Sequence, residues 1–403
     1  MKVFSYEARD QSTNKITKST VQAESETAAA KLLIKQGLTP LNINEESSDD
    51  AFLSKFTGRI TTKDKIVFTR QLATLIGAGL PLSQSLSTVL EQTQNKKLQA
   101  IIQEISASVE GGKTLSESFS KHPEIFDPVF LALVGAGEMS GTLDDALLRV
   151  ANQQEKDAAI AGKIKGAMAY PIIVLVVIFG VLAFMLITVV PQVEKLYVDL
   201  KKELPFITQI MVDISSFFVH FWWVAIVAFV GIAYFMTQFV KTESGIKIAD
   251  GIKLNAPMFG KMFQKLYMAR FMRTGQTLLS TGVSMLDMLG ITAKAVNNTM
   301  VSASILSAAE KVKGGKTLST SIKSENYILS LVPQMISIGE QSGRIDEMMG
   351  KAAKVFEDEL DNQIATISTA IEPVLMVVLA IVAGSMVAAI LLPIYSLVNT
   401  INM

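Results

Sequence analysis

The strings in this chain that could bind a ligand or do chemistry are few, and they come in pairs. Gly111-Gly-Lys-Thr-Leu-Ser116 returns unchanged at residues 314–319. Gly112-Lys113-Thr114 resembles the close of a phosphate-binding loop, in which backbone amides and a lysine hold phosphate oxygens. Such a loop opens with a glycine five residues before Gly112, and that position holds Ala107, or Glu310 in the second copy. The string also follows a helical pattern, whereas the loop follows a strand. A helix stop at Gly111-Gly112, then a Thr114 cap with Glu117 three residues on, accounts for it. Gly135-Ala-Gly137-Glu-Met-Ser-Gly141 is one residue too long for a dinucleotide fingerprint, whose third glycine falls at Ser140. A helix–turn–helix corner is expected there.

Glu138 and Glu340 are the strongest remaining candidates. Both copies keep a Gly-Glu-x-Ser-Gly corner, Gly137–Gly141 and Gly339–Gly343, with Asp144 or Asp346 shortly after. One reading hydrogen-bonds each carboxylate to free amides at the start of the next helix. The other is a paired-carboxylate cation site or a partner contact. His122 precedes a proline in a loop, and His220 neighbours Trp222 and Trp223 in what resembles an interfacial aromatic belt. With no cysteine, thiolate chemistry and disulfides are excluded. Nothing supports general acid–base or nucleophilic catalysis, so neither an enzyme nor a cofactor is expected.

The elements that must position these corners are themselves repeated. At an offset of 203 residues, Phe68-Thr-Arg70-Gln-Leu-Ala-Thr-Leu matches Phe271-Met-Arg273-Thr-Gly-Gln-Thr-Leu, and Gly79 matches Gly282. After a one-residue slip, the Glu138 corner pairs with the Glu340 corner and Pro171 with Pro373. Each proline opens a long apolar stretch and is a candidate kink, because it removes an intrahelical hydrogen bond. The unit is a polar helical module feeding a membrane span, present twice. Composition agrees, at 49% hydrophobic and 18% charged with mean hydropathy +0.37. Zero net charge argues against a nucleic-acid partner.

Three stretches are long enough to cross a bilayer: 171–190, 217–240 and 373–393. The middle one has no counterpart in the repeat and reads as the return crossing that lets both modules fold on one side. Lys241, Lys247, Lys253, Lys261 and Lys265 follow it, whereas residues 394–403 hold no Lys or Arg. This places the N-terminus and both modules in the cytoplasm and the C-terminus outside. The expected order is a small α/β unit at 1–45, a linker at 46–60, a first bundle at 61–170, the first span, an extracytoplasmic loop at 191–216, the second span, a second bundle at 241–372, the third span and a short tail. Within 1–45, strands are expected around Val3–Ala8 and Gly37–Ile43, with a helix over Glu24–Gln36 between them. The fold class is mainly α: an integral membrane protein with two homologous cytoplasmic antiparallel helical bundles, three transmembrane helices and a small N-terminal α/β unit. Ala383-Gly384-Ser385 and Ala388-Ala389 would let a partner helix approach the third span closely.

Phe68-x-Arg70-x-Leu-Ala-Thr-Leu-x-x-Ala-Gly79-Leu-Pro-Leu, Gly137-Glu-x-Ser-Gly-x-Leu and Lys163-Ile-Lys-x-Ala-x-x-Tyr170-Pro171 together resemble the F-type platform proteins of type II secretion and type IV pilus assembly. Val190-Pro191 and Glu203-Leu-Pro205 extend the resemblance, which covers essentially the whole chain. The second copy departs at Ser280-Thr-Gly282-Val-Ser284, where the first has Ala-Gly-Leu-Pro, so the copies are expected to differ in partners. The resemblance implies an inner-membrane scaffold linking a cytoplasmic hexameric assembly or retraction ATPase to pilins or pseudopilins. It also implies contact with other inner-membrane assembly proteins, and a homo-oligomer at the axis of the machine. Arg70, Gly79, Gly137, Glu138, Gly141 and their counterparts Arg273, Gly282, Gly339, Glu340, Gly343 are the candidate contact residues. A transporter subunit is the remote alternative, but these spans offer few of the polar groups that a transport path requires.

Overall fold

Short runs of mixed polar and apolar residues form strands near the N-terminus, and apolar residues spaced three or four apart form helices from Thr62 onward. The computed structural model describes residues 2–10, 16–23, 30, 38–45, 59–199 and 206–401. The chain divides into two units, Met1–Phe68 with Pro81–Gly112, and Thr69–Leu80 with Lys113–Met403.

In the first unit β1 (Lys2–Asp10), β2 (Ile16–Ala23) and β3 (Leu38–Glu45) form an antiparallel sheet in the order β2-β1-β3. β1 pairs Lys2 with Ala23 on one side and Phe4 with Glu45 on the other, with a register shift between Glu7 and Ala8 on the β3 side. β2 was not expected, because only Ile16 and Val21 are strongly apolar in it and no alternation is visible. Apart from Ala30, the helix expected over Glu24–Gln36 lies outside the described residues, as does most of the linker.

α1 (Thr62–Gly77) begins in this unit and continues into the other after Phe68. Thr61 and Asp64 cap it reciprocally: Thr61 N donates to Asp64 Oδ2 at 2.8 Å, and Asp64 N donates to Thr61 Oγ1 at 3.2 Å. α2 (Leu82–Gln92) and α3 (Lys96–Glu110) follow. Asn95 caps α3 and donates from its amide to Asp64 Oδ2 at 3.1 Å, so one carboxylate serves two helix starts. Leu98, Ile101, Ile102 and Ile105 put the buried stripe of α3 at helical spacing.

The second unit holds α4 (Leu115–Ser120), α5 (Pro128–Ser140) and α6 (Leu143–Phe184). A π-helical turn at Met185–Val189 leads into α7 (Val190–Asp199), and α8 (Phe206–Phe239) and α9 (Glu243–Asn255) follow. The second copy is α10 (Phe259–Ser280), α11 (Met285–Ala295), α12 (Thr299–Lys313), α13 (Leu318–Lys323), α14 (Leu331–Ser342) and α15 (Ile345–Ile401), in the order of α1 to α6. The copies meet along their last helices. Ile160, Ile164 and Ala167 of α6 pack on a core of Met262, Leu266, Leu360, Ile364 and Ile367 from α10 and α15. Lys163–Asp361 (2.6 Å) and Lys156–Glu357 (3.7 Å) border that seam. Such partly exposed pairs contribute little, so the apolar core carries the joint.

Among the described residues two helices are long and apolar enough to cross a membrane, Leu143–Asp199 and Ile345–Ala388. Ile173, Val176, Phe179 and Phe184 in the first, and Val374, Met376, Val377 and Ile381 in the second, point away from any protein core. Both helices run unbroken through Pro171 and Pro373. Interruptions fall elsewhere. The expected loop at 191–216 is helical at 190–199 and from 206, and the expected span at 217–240 is not straight. Val212–Phe221 and Ile226–Phe239 meet at 79°, so they supply a third crossing only if the bent pair is counted as one. Phe221 marks the break, with φ −116° and ψ 23°.

The π turn leaves one carbonyl to be satisfied. Val190 N donates to Met185 O, five residues back. The next bond in that pattern would come from residue 191, which is a proline and has no N–H. Leu186 O is thereby left over, and the buried Ser215 of α8 donates its hydroxyl to it.

Candidate functional site

Each copy folds its two repeated strings against one another. α4 starts after Gly-Gly-Lys-Thr, and its first amides lack partners within the helix. Thr114 Oγ1 accepts from Glu117 N at 3.1 Å. Glu138, on the last turn of α5, accepts from Leu115 N at 2.7 Å through Oε1 and from Ser116 N at 3.1 Å through Oε2. In the second copy Thr317 Oγ1 accepts from Thr320 N at 3.4 Å. There Glu340 accepts from Leu318 N at 2.6 Å and, through both oxygens, from Ser319 N, while the Ser319 hydroxyl donates to Oε2. The amides reached belong to the short helix 21–23 residues upstream. The next helix, where the sequence leads one to expect the cap, is not the one capped. Its first turn carries Asp144 and Asp145, or Asp346 and Glu347, of its own.

This arrangement decides what the Gly-Lys-Thr strings can do. An anion at the start of α4 would need the amides that Glu138 holds, and would meet its negative charge. A cation would meet N–H dipoles pointing at both carboxylate oxygens. Among the described residues no three Asp, Glu or His side chains gather as a metal site would require.

The glycines of the corners serve close approach and turning. A Cβ on Gly137 would lie 2.4 Å from Ala146 Cβ, and one on Gly339 would lie 2.6 Å from Ile345 Cα. Gly141 and Gly343 are left-handed at φ 73° and 72°, and Thr142 N and Arg344 N return to the carbonyls of Gly137 and Gly339. Among the described residues the glycines with positive φ are Gly79, Gly112, Gly141 and their repeat partners Gly282, Gly315, Gly343. The repeat therefore encodes backbone turns.

Arg70 and Arg273 mark a second repeated constellation. Arg70 Nε and Nη2 donate to Glu155 Oε1 and Oε2 at 2.8 and 2.6 Å, and Nη2 also donates to Asn152 Oδ1 at 2.6 Å. Arg273 grips Glu357 in the same two-pronged way, at 2.8 and 2.9 Å, and donates to Gln276 at 3.1 Å. Each ties the module's first helix to its last. The Arg70 hydrogen bond holds the Glu155 carboxyl below its ordinary value, against slight desolvation. Neither glutamate belongs to one of the repeated strings, although the two lie 202 residues apart, at the offset of the corners. Near the seam, desolvation raises the Asp157 carboxyl, with Arg270 Nε 4.0 Å away acting in the opposite direction. His122 sits 3.8 Å from Glu124, and His220 Nδ1 contacts Ser216 O at 2.9 Å on its own helix.

A twice-repeated helical module with capped corners, clamped helices and two long apolar rods defines a membrane-associated scaffold class. Two segments, residues 68–191 and 271–393, match the family model described as type II secretion system (T2SS), protein F, and residues 1–44 match its N-terminal domain. The chain belongs to this family. It is 37% identical to the type IV pilus assembly protein PilC of Myxococcus xanthus, over 91% of this chain and 88% of that one. It is 34% identical to the PilC of Thermus thermophilus over all of both chains. The type II secretion system protein F of Vibrio cholerae is 29% identical, again over the full length of both.

Proposed function

We propose that this chain is the inner-membrane platform of a type IV pilus assembly machine, coupling a cytoplasmic hexameric ATPase to the insertion of pilins into a growing fibre. The observation that carries the reading is similarity along the whole chain to type IV pilus assembly proteins, at 34–37% identity against 29–33% for the type II secretion proteins. The geometry supports a role in binding and transmission. Helices clamped by Arg70–Glu155 and Arg273–Glu357 run on into apolar rods, giving a stiff path from module to bilayer. In this reading the N-terminus is cytoplasmic, the segments 171–190, 217–240 and 373–393 cross the membrane, and the C-terminus is outside. Residues 1–45, tethered by 46–60, form a small α/β arm that follows the ATPase, and the platform acts as a homo-oligomer at the machine's axis. It turns over no substrate itself.

A second reading, the platform of a type II secretion system handling pseudopilins, is favoured by the full-length match to protein F. Deleting the gene and assaying surface fibres beside protein release separates the two. Loss of fibres with intact release is expected, and the reverse result would assign the chain to secretion. Removing only residues 1–45 should leave an inserted, accumulating chain that assembles no fibres.

A further inference from the structure

The helix that follows α8 carries an apolar face that the apolar rods do not explain. α9 starts immediately after α8, with Thr242 Oγ1 accepting from Gly245 N at 3.1 Å. A Cβ at Gly245 would lie 1.8 Å from Phe239 O, so glycine is what lets α9 turn back directly against the end of the apolar segment. Asp250 sets the rotation of α9 about its axis. It is 4% exposed and accepts from Thr299 N at 2.8 Å and Thr299 Oγ1 at 3.1 Å, capping α12. Leu254, one turn on, is buried on the same side. Residues two positions from Asp250 face the other way, and there Ile248 and Ile252 are 53% and 63% exposed. Lys247 flanks them and Lys241 precedes the helix, whereas Lys253 belongs to the other side, its Nζ donating to Asp250 Oδ1 at 3.1 Å.

We propose that the Ile248–Ile252 face of α9 lies in the bilayer surface, its isoleucines among the upper acyl chains and Lys241 and Lys247 among lipid phosphates. An amphipathic helix with apolar residues on one side and lysines at its flanks has the chemistry of an interfacial helix. Its continuity with α8 makes the lipid surface the occupant rather than a soluble partner. The inference rests on the membrane placement of α8 given above. It makes α9 a skid that holds the second module at fixed height against the membrane.

The cysteine-free chain permits a direct test. Ile248→Cys, Ile252→Cys, Phe229→Cys in α8 and Gln103→Cys in α3 are each labelled with an environment-sensitive fluorophore. The full-length protein is placed singly in nanodiscs of phosphatidylethanolamine and phosphatidylglycerol. Ile248→Cys and Ile252→Cys should be blue-shifted and quenched by lipid carrying a nitroxide near the headgroup, Phe229→Cys by lipid carrying it deep in the chain, and Gln103→Cys by neither. Quenching at Phe229→Cys without quenching at the two isoleucine positions overturns the proposal and leaves the span intact. A blue shift there without quenching means that protein covers the face, and also overturns it. No quenching at Phe229→Cys removes the membrane placement of α8, and the proposal with it.

Discussion

Glu138→Ala is the perturbation that tests the corner most directly. The substitution removes two charge-assisted hydrogen bonds, of 2.7 and 3.1 Å, and strands the amides of Leu115 and Ser116 at a partly buried helix start. Losing a helix cap costs about 0.5–2 kcal/mol, and stranding a second, partly buried donor puts the corner at the upper end, about 2 kcal/mol. For a helical body of this size that corresponds to a fall in Tm of about 4–8 °C. Glu138→Gln keeps one acceptor oxygen but turns an NH2 toward the other amide, so roughly half the loss is expected. Thr114→Ala acts on the remaining amide, that of Glu117, and should show coupling to Glu138→Ala in a double-mutant cycle, because both hold the same turn. The assay is far-ultraviolet circular dichroism of the detergent-solubilised chain, heated at one scan rate with and without calcium or magnesium. An unchanged Tm for Glu138→Ala would refute the capping account. So would a saturable, metal-dependent rise in the wild-type Tm that the variant lacks.

Gly339→Ala should destabilise more than Gly343→Ala, since its Cβ meets backbone at 2.6 Å whereas Gly343 pays only for its φ of 72°; equal Tm values would contradict the close approach. Gly162→Ala, in the interior of α6 with nothing within 4 Å, should stabilise by about 0.5–1 kcal/mol, read as a raised Tm. Because Arg70 lowers the Glu155 carboxyl in the folded chain, the pair's stabilisation is complete above the usual carboxylate value of 4.5 and fades as pH falls through the lower folded value. Acid unfolding below that pH should therefore be less steep in Glu155→Gln than in wild type, as followed by circular dichroism. The purified chain should hydrolyse no ATP or GTP, since Glu138 and Glu340 occupy the amides that a phosphate would use; turnover abolished by Lys113→Ala would refute this.

The features legible in the sequence are those that repeat or that depend on composition. Phe68, Arg70, Gly79 and Glu138 all recur at 202 or 203 residues, and the 171–190 and 373–392 stretches declare themselves by apolar length. The partner of Glu138 was not legible, because capping joins groups brought together by a helix–loop–helix path and the amides carry no side-chain signature. Glu155 and Glu357 were within reach, since the arginines were already marked and the offset leads from one acid to the other. β2 escaped because Thr, Ser, Lys and Gln hide its alternation. The bend at Phe221 and the helix beyond Pro191 escaped for a different reason. Hydropathy registers how apolar a segment is and carries no information on where its backbone turns.

The position of the seam along α15 has a mechanical consequence. The helix is continuous from Ile345 to Ile401, and its contacts with α6 and α10 include Leu360, Ile364 and Ile367. At a rise of about 1.5 Å per residue, the arm before Leu360 is about 22 Å long and the arm beyond Ile367 about 51 Å. If the seam is the fulcrum, α15 is a lever of unequal arms. A displacement of a given size at the Glu340 end emerges at the far end of the rod more than doubled and reversed in direction, with less than half the force.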